Sequence, residues 1–149
     1  IYYKGKEFDG TVIFTGRVEE LFNYRFGALP YRTLKFKTKV YNKPSVQRAA
    51  VVNFTASHRY TRVSEFTKFT CDKCDKSVIM KEYPKKCRKN SGKPYYPVPT
   101  AENIAKYKKY EEEAAGYKNL YLLGRLAKYE YINMDAAVKK AIELFEDME

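Results

Sequence analysis

Four apolar runs of strand length follow one another between residues 33 and 83, separated by segments too short for a crossover, and this succession most limits the fold. Parallel neighbours need about a dozen or more connecting residues, so strands this closely spaced pair antiparallel. Residues 33–40 alternate Leu34 and Phe36 with Lys35 and Lys37, the period-two pattern of a sheet with one wet face. Residues 49–54 (AAVVNF) are more continuously apolar, and residues 60–69 and 77–83 complete the set. Turn-forming clusters punctuate them, as in Asn42-Lys43-Pro44-Ser45 and Asn90-Ser91-Gly92-Lys93-Pro94. Upstream, residues 11–15 (TVIFT) predict a short buried strand ending at Gly16, and residues 18–22 a brief helix.

The pattern changes at Pro99. Thr100 is placed to cap a helix, Glu102 suits the positive end of its dipole, and Ile104, Tyr107 and Ala114 share a face, with Gly116 as the stop. Residues 120–123 (LYLL) predict a short buried strand and Gly124-Arg125-Leu126 a loop. Asn133 is the expected cap of a last helix whose Met134, Val138, Ala141, Ile142 and Phe145 lie on one side. The tail therefore reads helix, strand, loop, helix. An α/β segment joined to a mostly antiparallel sheet makes an α+β chain, and no internal repeat is visible.

Charge and composition bound the function. Lys and Arg number 29 against 18 Asp and Glu, so the excess is 29 − 18 = +11 and the expected partner is anionic. An apolar content of 44% is that of a folded chain rather than a disordered basic tail. No run approaches the ~18 apolar residues of a membrane span, and no charged-then-apolar leader opens the chain, so membrane and secreted classes are not expected. The first residue is Ile1 rather than Met, which hints at a piece of something longer. With 15 Tyr, 9 Phe and no Trp, the surface could stack bases or line a nucleotide pocket, although most of these rings suit half-buried strand faces.

The cysteines decide less. Cys71-Asp-Lys-Cys74 has the spacing of half a zinc site or of a redox dithiol, with Cys87 further on. The single histidine, His58, lies upstream without a paired ligand, and an odd count argues against a disulfide framework. Reduced thiols without a metal are the expectation.

Four places carry candidate chemistry. Arg62 sits in a strand-like run, where it either projects toward an anion or lies solvated on the strand face. Lys93-Pro94-Tyr95-Tyr96-Pro97-Val98-Pro99 sets paired tyrosines among three prolines that stiffen the backbone. Arg125 follows the end of a strand, where α/β units bind ligands. Residues 132–137 open a helix whose unpaired N–H groups suit phosphate or an anionic ring oxygen. The basic run 81–93, with Lys81, Lys85, Lys86, Arg88, Lys89 and Lys93, suits nucleic acid, or is a solvated hairpin tip. No Gly-rich phosphate loop and no nucleophile–base pair around His58 appears, so side-chain catalysis alone is poorly supported.

Taken in order, the motifs resemble the C-terminal part of the UDP-galactopyranose mutase family. They are Phe14-Thr15-Gly16, Phe22-Asn23-Tyr24-Arg25-Phe26-Gly27, Leu29-Pro30-Tyr31-Arg32-Thr33-Leu34, Val51-Val52-Asn53-Phe54 and Tyr60-Thr61-Arg62. Lys81-Glu82-Tyr83-Pro84, Tyr95-Tyr96-Pro97-Val98, Gly124-Arg125-Leu126 and the stretch from Tyr131 to Met134-Asp135 continue the series. The resemblance implies a cytoplasmic flavoenzyme of cell-surface polysaccharide biosynthesis that interconverts UDP-galactopyranose and UDP-galactofuranose. Reduced FAD is then the nucleophile, through a flavin-N5 sugar adduct, and no side chain is catalytic in that sense.

The resemblance also assigns residues. Arg62 is similar to the arginine that holds the UDP diphosphate, Tyr96 and Tyr131 to two tyrosines that bond it, and Asn53 to a substrate-contacting asparagine. Arg32 resembles a further arginine near the site, and Arg125 the arginine near the FAD pyrophosphate. Ile132, Asn133, Met134, Asp135, Ala136 and Ala137 correspond to the stretch against the flavin, where a helix dipole favours negative charge. The chain departs from the family pattern at His58-Arg59, at Ser64 to Phe69, at Ala127 and at Asn133, where an acid is usual. An altered nucleotide-sugar preference is one consequence to test.

Residues 11–23 and 99–149 are accordingly expected to belong to an FAD-binding domain, and residues 24–98 to an antiparallel substrate-binding domain. The Gly-rich fingerprint and helix-rich middle of the family are absent, so the expectation is a fragment, inactive alone and weak in FAD binding. No membrane or nucleic-acid partner is implied, and a homodimer stays among the oligomeric options. From the residues alone, a basic nucleic-acid-binding module through the 81–93 run and a zinc-stabilised domain remain the rivals.

Overall fold

The computed structural model describes residues 2–3, 6–55, 57–70, 73–87 and 93–148. In chain order the elements are β1 (Tyr2–Tyr3), β2 (Lys6–Glu7), β3 (Val12–Phe14), α1 (Val18–Leu21), β4 (Tyr31–Tyr41), β5 (Val51–Asn53) and β6 (Arg62–Glu65). There follow α2 (Thr67–Thr70), β7 (Ser77–Cys87), β8 (Tyr96–Pro97), α3 (Ala101–Ala115), β9 (Leu120–Leu122), α4 (Gly124–Ala127) and α5 (Met134–Glu146). The chain is a mixed α/β structure with a mostly antiparallel sheet and several helices, and it divides into two compact units. One comprises Ile1–Arg32 with Arg88–Glu149, the other Thr33–Cys87.

In the unit Thr33–Cys87, β6 lies between β5 and β7, antiparallel to both, as the short connections require. Its register sets Asn53 opposite Arg62 and Arg62 opposite Glu82. Val63 and Ile79 are buried, together with the polar side chains of Ser64, Glu65, Ser77 and Glu82. The Glu65 carboxylate accepts from Ser77 Oγ at 2.6 Å and from the N–H groups of Val46 and Gln47 at 2.9 Å each, which fixes the loop ahead of β5. Burial alone would raise its pKa, but these three bonds outweigh it and hold the carboxyl below its ordinary range.

Three expectations for this unit change. The run 60–69 is a strand only as far as Glu65, after which Phe66 turns the chain into the one-turn α2. β7 is longer than expected and passes through Pro84; its register with β6 ends at Glu82, so the proline removes no bond from that ladder. In β4, Phe36 is exposed rather than inward, since the buried positions at the start of the strand are Tyr31 and Thr33, on the alternate face.

In the other unit, β3 and β9 pair in parallel, with Ile13 opposite Tyr121, and β8 pairs antiparallel with the first residues of β4. Both β3 and β9 are less buried than expected, with Ile13 exposed and all of β9 intermediate. Thr100 does cap α3, accepting from the Asn103 N–H at 3.3 Å. The buried stripe of α3 is Asn103, Tyr107, Tyr110 and Ala114, spaced by 4, 3 and 4 residues as one helical face demands. Ile104 falls beside that stripe and is 40% exposed. Tyr110 takes the inner place: its hydroxyl donates to the Gly27 carbonyl at 2.7 Å and accepts from the Phe26 N–H at 3.1 Å.

Tyr129 ties the same unit together. Its hydroxyl donates to the Pro30 carbonyl at 2.7 Å and accepts from the Val98 N–H at 3.2 Å, while its ring stacks on Tyr107 and meets Tyr31 edge-on. Its backbone is left-handed, at φ 50°, a conformation kept because these bonds over-determine it. The expected loop at 124–126 is instead the one-turn α4, entered through Gly124 at φ +85°, where a side chain would be strained. On the apolar face of α5, Met134, Val138, Ile142 and Phe145 are all exposed among the described residues.

Candidate anion-binding site

Arg62 opens β6 and Asn53 closes β5, and their cross-strand register places the side chains on one face. The Arg62 Nε donates to Asn53 Oδ1 at 3.1 Å, and Nη1 lies 3.9 Å from Glu82 Oε1 on β7. The guanidinium is thus braced by a carboxamide and held near a carboxylate while about half of its side chain stays open to solvent. Glu82 has no role in the sequence reading, yet it is the register partner of Arg62; its signal is that it stands as the only acid in the basic 81–93 run.

A second group gathers in the unit Ile1–Arg32 with Arg88–Glu149. Tyr96 on β8 and Tyr131, ahead of α5, stack with centroids 5.3 Å apart and planes at 27°. The Arg125 guanidinium lies 4.8 Å from the Tyr96 ring centre and 5.2 Å from that of Tyr131. Arg32 is exposed and pairs across the ladder with Tyr96, so the two share a strand face. The acceptors that hold Arg125 are backbone carbonyls of Tyr95 and Ile132, groups that residue-type reasoning has no way to single out.

The start of α5 differs from expectation in one respect. Asn133 occupies the cap position with extended backbone (φ −82°, ψ 171°), but its side chain makes no capping bond. The first-turn N–H groups therefore have no side-chain acceptor from the cap residue, and Asp135 supplies the acid of that turn. Met134 is 86% exposed, and Ile132, Ala136 and Ala137 are half-buried.

Other candidates lie partly outside the described residues. Cys74 is exposed and Cys87 half-buried, while Cys71 lies outside the described residues. Among the described residues no group of three or more His, Cys, Asp or Glu is placed to hold a metal ion. Of the basic run, Arg88, Lys89 and the turn residues 90–92 also lie outside them. No helix among the described residues is long and apolar enough to cross a membrane.

These features define a mixed α/β protein in which the exposed Arg62 is pre-oriented by a carboxamide and the half-buried Arg125 by carbonyl and aromatic groups. The sequence model of the UDP-galactopyranose mutase family matches residues 2–131. The chain belongs to that family. It is 34% identical over 148 residues to the UDP-galactopyranose mutase of Mycoplasma genitalium, covering 96% of this chain and 37% of that protein. It is 38% identical over 137 residues to the dTDP-fucopyranose mutase of Escherichia coli, covering 90% and 36%. With the probable UDP-galactopyranose mutase of Klebsiella pneumoniae it shares 34% over 134 residues, covering 89% and 34%. The chain spans about a third of the length of the curated relatives it matches.

Proposed function

We propose that the chain is the C-terminal portion of a flavin-dependent mutase that interconverts UDP-galactopyranose and UDP-galactofuranose. The observation that carries this reading is the family match across residues 2–131, which takes in Asn53, Arg62, Tyr96, Arg125 and Tyr131. In it, residues 11–23 and 99–149 belong to an FAD-binding domain and residues 24–98 to a substrate-binding domain. The parallel pairing of β3 with β9 supports the first grouping.

Arg62 is the diphosphate-binding arginine, kept in place by Asn53, and its charge and planar fork match phosphate oxygens. Tyr96 and Tyr131 offer phenolic donors suited to a diphosphate, and Arg32 adds positive charge on the strand beside Tyr96. The start of α5 fits an anionic ring edge, because the Asn133 side chain leaves its N–H groups uncapped and the dipole is positive there. Residues 132–137 and Arg125 would hold FAD, which when bound and reduced supplies the nucleophile that the side chains lack. Such an enzyme acts in the cytoplasm, on precursors of cell-surface polysaccharide. The 149 residues alone are inactive, since they span about a third of the relatives' length.

The 38% identity to a dTDP-fucopyranose mutase favours one second reading, a deoxysugar nucleotide as substrate. Equilibrium titration of the full-length protein with UDP and with dTDP separates the two. Preference for UDP, lost on Arg62→Ala, is the expected outcome; preference for dTDP supports the second reading, and affinity for neither overturns both.

A further inference from the structure

Tyr131 is 63% exposed, yet its ring is stacked in register with Tyr96. Burial does not hold a ring that open, so something else must. The Arg125 guanidinium contacts both rings, and it is itself fixed at two points: Nη1 donates to the Tyr95 carbonyl at 3.2 Å and Nη2 to the Ile132 carbonyl. Each acceptor belongs to the residue next to one of the tyrosines. One planar cation is therefore tied to the backbone beside each ring while lying against both.

We infer that Arg125 is a positioning residue that sets the spacing and orientation of Tyr96 and Tyr131, so that their hydroxyls meet one ligand as a preset pair. The inference rests on the reading of these tyrosines as diphosphate contacts and gives them a common support. A diphosphate offers several acceptor oxygens at fixed separation, and two phenols already fixed relative to each other bind it with less ordering cost. Lysine is no substitute, because the ammonium lacks the planar fork that bonds two carbonyls in divergent directions. Only two of the five guanidinium N–H donors are spent on the carbonyls. Because Ile132 precedes α5, the clamp also links the tyrosine pair to the start of that helix.

The test is a double-mutant cycle on UDP affinity in the full-length protein, with Arg125→Gln, Tyr96→Phe and Tyr131→Phe. Arg125→Gln is expected to weaken UDP binding on the order of tenfold. The loss should largely vanish in the Tyr96→Phe/Tyr131→Phe background, and Arg125→Lys should not restore affinity. Additive losses, or rescue by Arg125→Lys, overturn the inference. If the two tyrosine variants leave UDP affinity unchanged, the diphosphate reading fails instead. The 13C ring shifts of Tyr96 and Tyr131 then decide the positioning by themselves. Both moving in Arg125→Gln, with those of the buried Tyr110 and Tyr129 constant, supports it, and both unmoved contradicts it.

Discussion

Arg62 Nε donates to Asn53 Oδ1 at 3.1 Å across the β5–β6 ladder, so the orientation of the exposed guanidinium is set by its strand neighbour. Without that acceptor the side chain regains rotamer freedom that a ligand must then remove. Asn53→Ala should weaken UDP binding by about 1 kcal/mol, or roughly fivefold, while changing unfolding free energy by less than about 0.5 kcal/mol. Calorimetric titration and urea unfolding on the same variant check both halves.

Glu65 is the buried carboxylate that anchors the loop at Val46 and Gln47. Its folded pKa lies below the ordinary 4.5, so its contribution is complete above that value and is lost as the pH falls through the lowered pKa. Glu65→Gln puts an amide where N–H groups need an acceptor and should cost about 2–3 kcal/mol at neutral pH. Acid titration of unfolding free energy should show the native protein converging toward the variant below pH ~4. A difference independent of pH would count against this role.

Glu19 has the opposite sign. It is buried, and although Tyr31 donates to it at 2.9 Å, burial keeps its pKa above the ordinary 4.5. The native state then holds the proton more tightly than the unfolded chain, so stability from this group falls as pH rises from about 4.5 through the raised pKa. Relative to Glu19→Gln, the native protein should therefore lose stability as the pH rises above about 4.5. Parallel curves for the two proteins would contradict it.

Tyr129 joins the strand start at Pro30 to Val98 through one hydroxyl, and burial pushes that phenol up to about 12. Tyr129→Phe keeps the ring stacking and the Val98 N–H to Pro30 carbonyl bond at 3.2 Å, but removes the hydroxyl that both groups also bond. A loss of about 1 kcal/mol is expected by urea unfolding at pH 7.

The readable parts of the fold were those governed by local rules. Thr100 capping α3 and the antiparallel order of β5, β6 and β7 follow from side-chain chemistry and connection length. Faces were harder. On α3 the sequence points to Ile104, but Tyr110 is buried because its hydroxyl finds the Gly27 carbonyl, a partner 83 residues away that no local pattern reveals. α5 carries the amphipathic stripe its sequence announces, yet the stripe is exposed, since periodicity marks a face without saying what covers it. At the site, Arg62 and Asn53 are register partners and Tyr96 and Tyr131 are stacked, as residue-by-residue assignment left open. Glu82 and the two carbonyls on Arg125 were invisible for a simpler reason: one is set by strand register and the others are backbone.

Turnover tests the central claim most directly. The full-length protein, reduced with dithionite, is supplied with UDP-galactofuranose, and its products are resolved by anion-exchange chromatography. Conversion to UDP-galactopyranose that collapses at least ~100-fold in Arg62→Ala is predicted, from loss of a charge-assisted diphosphate contact. Conversion unchanged in Arg62→Ala, or no conversion by the reduced native protein, would contradict the account.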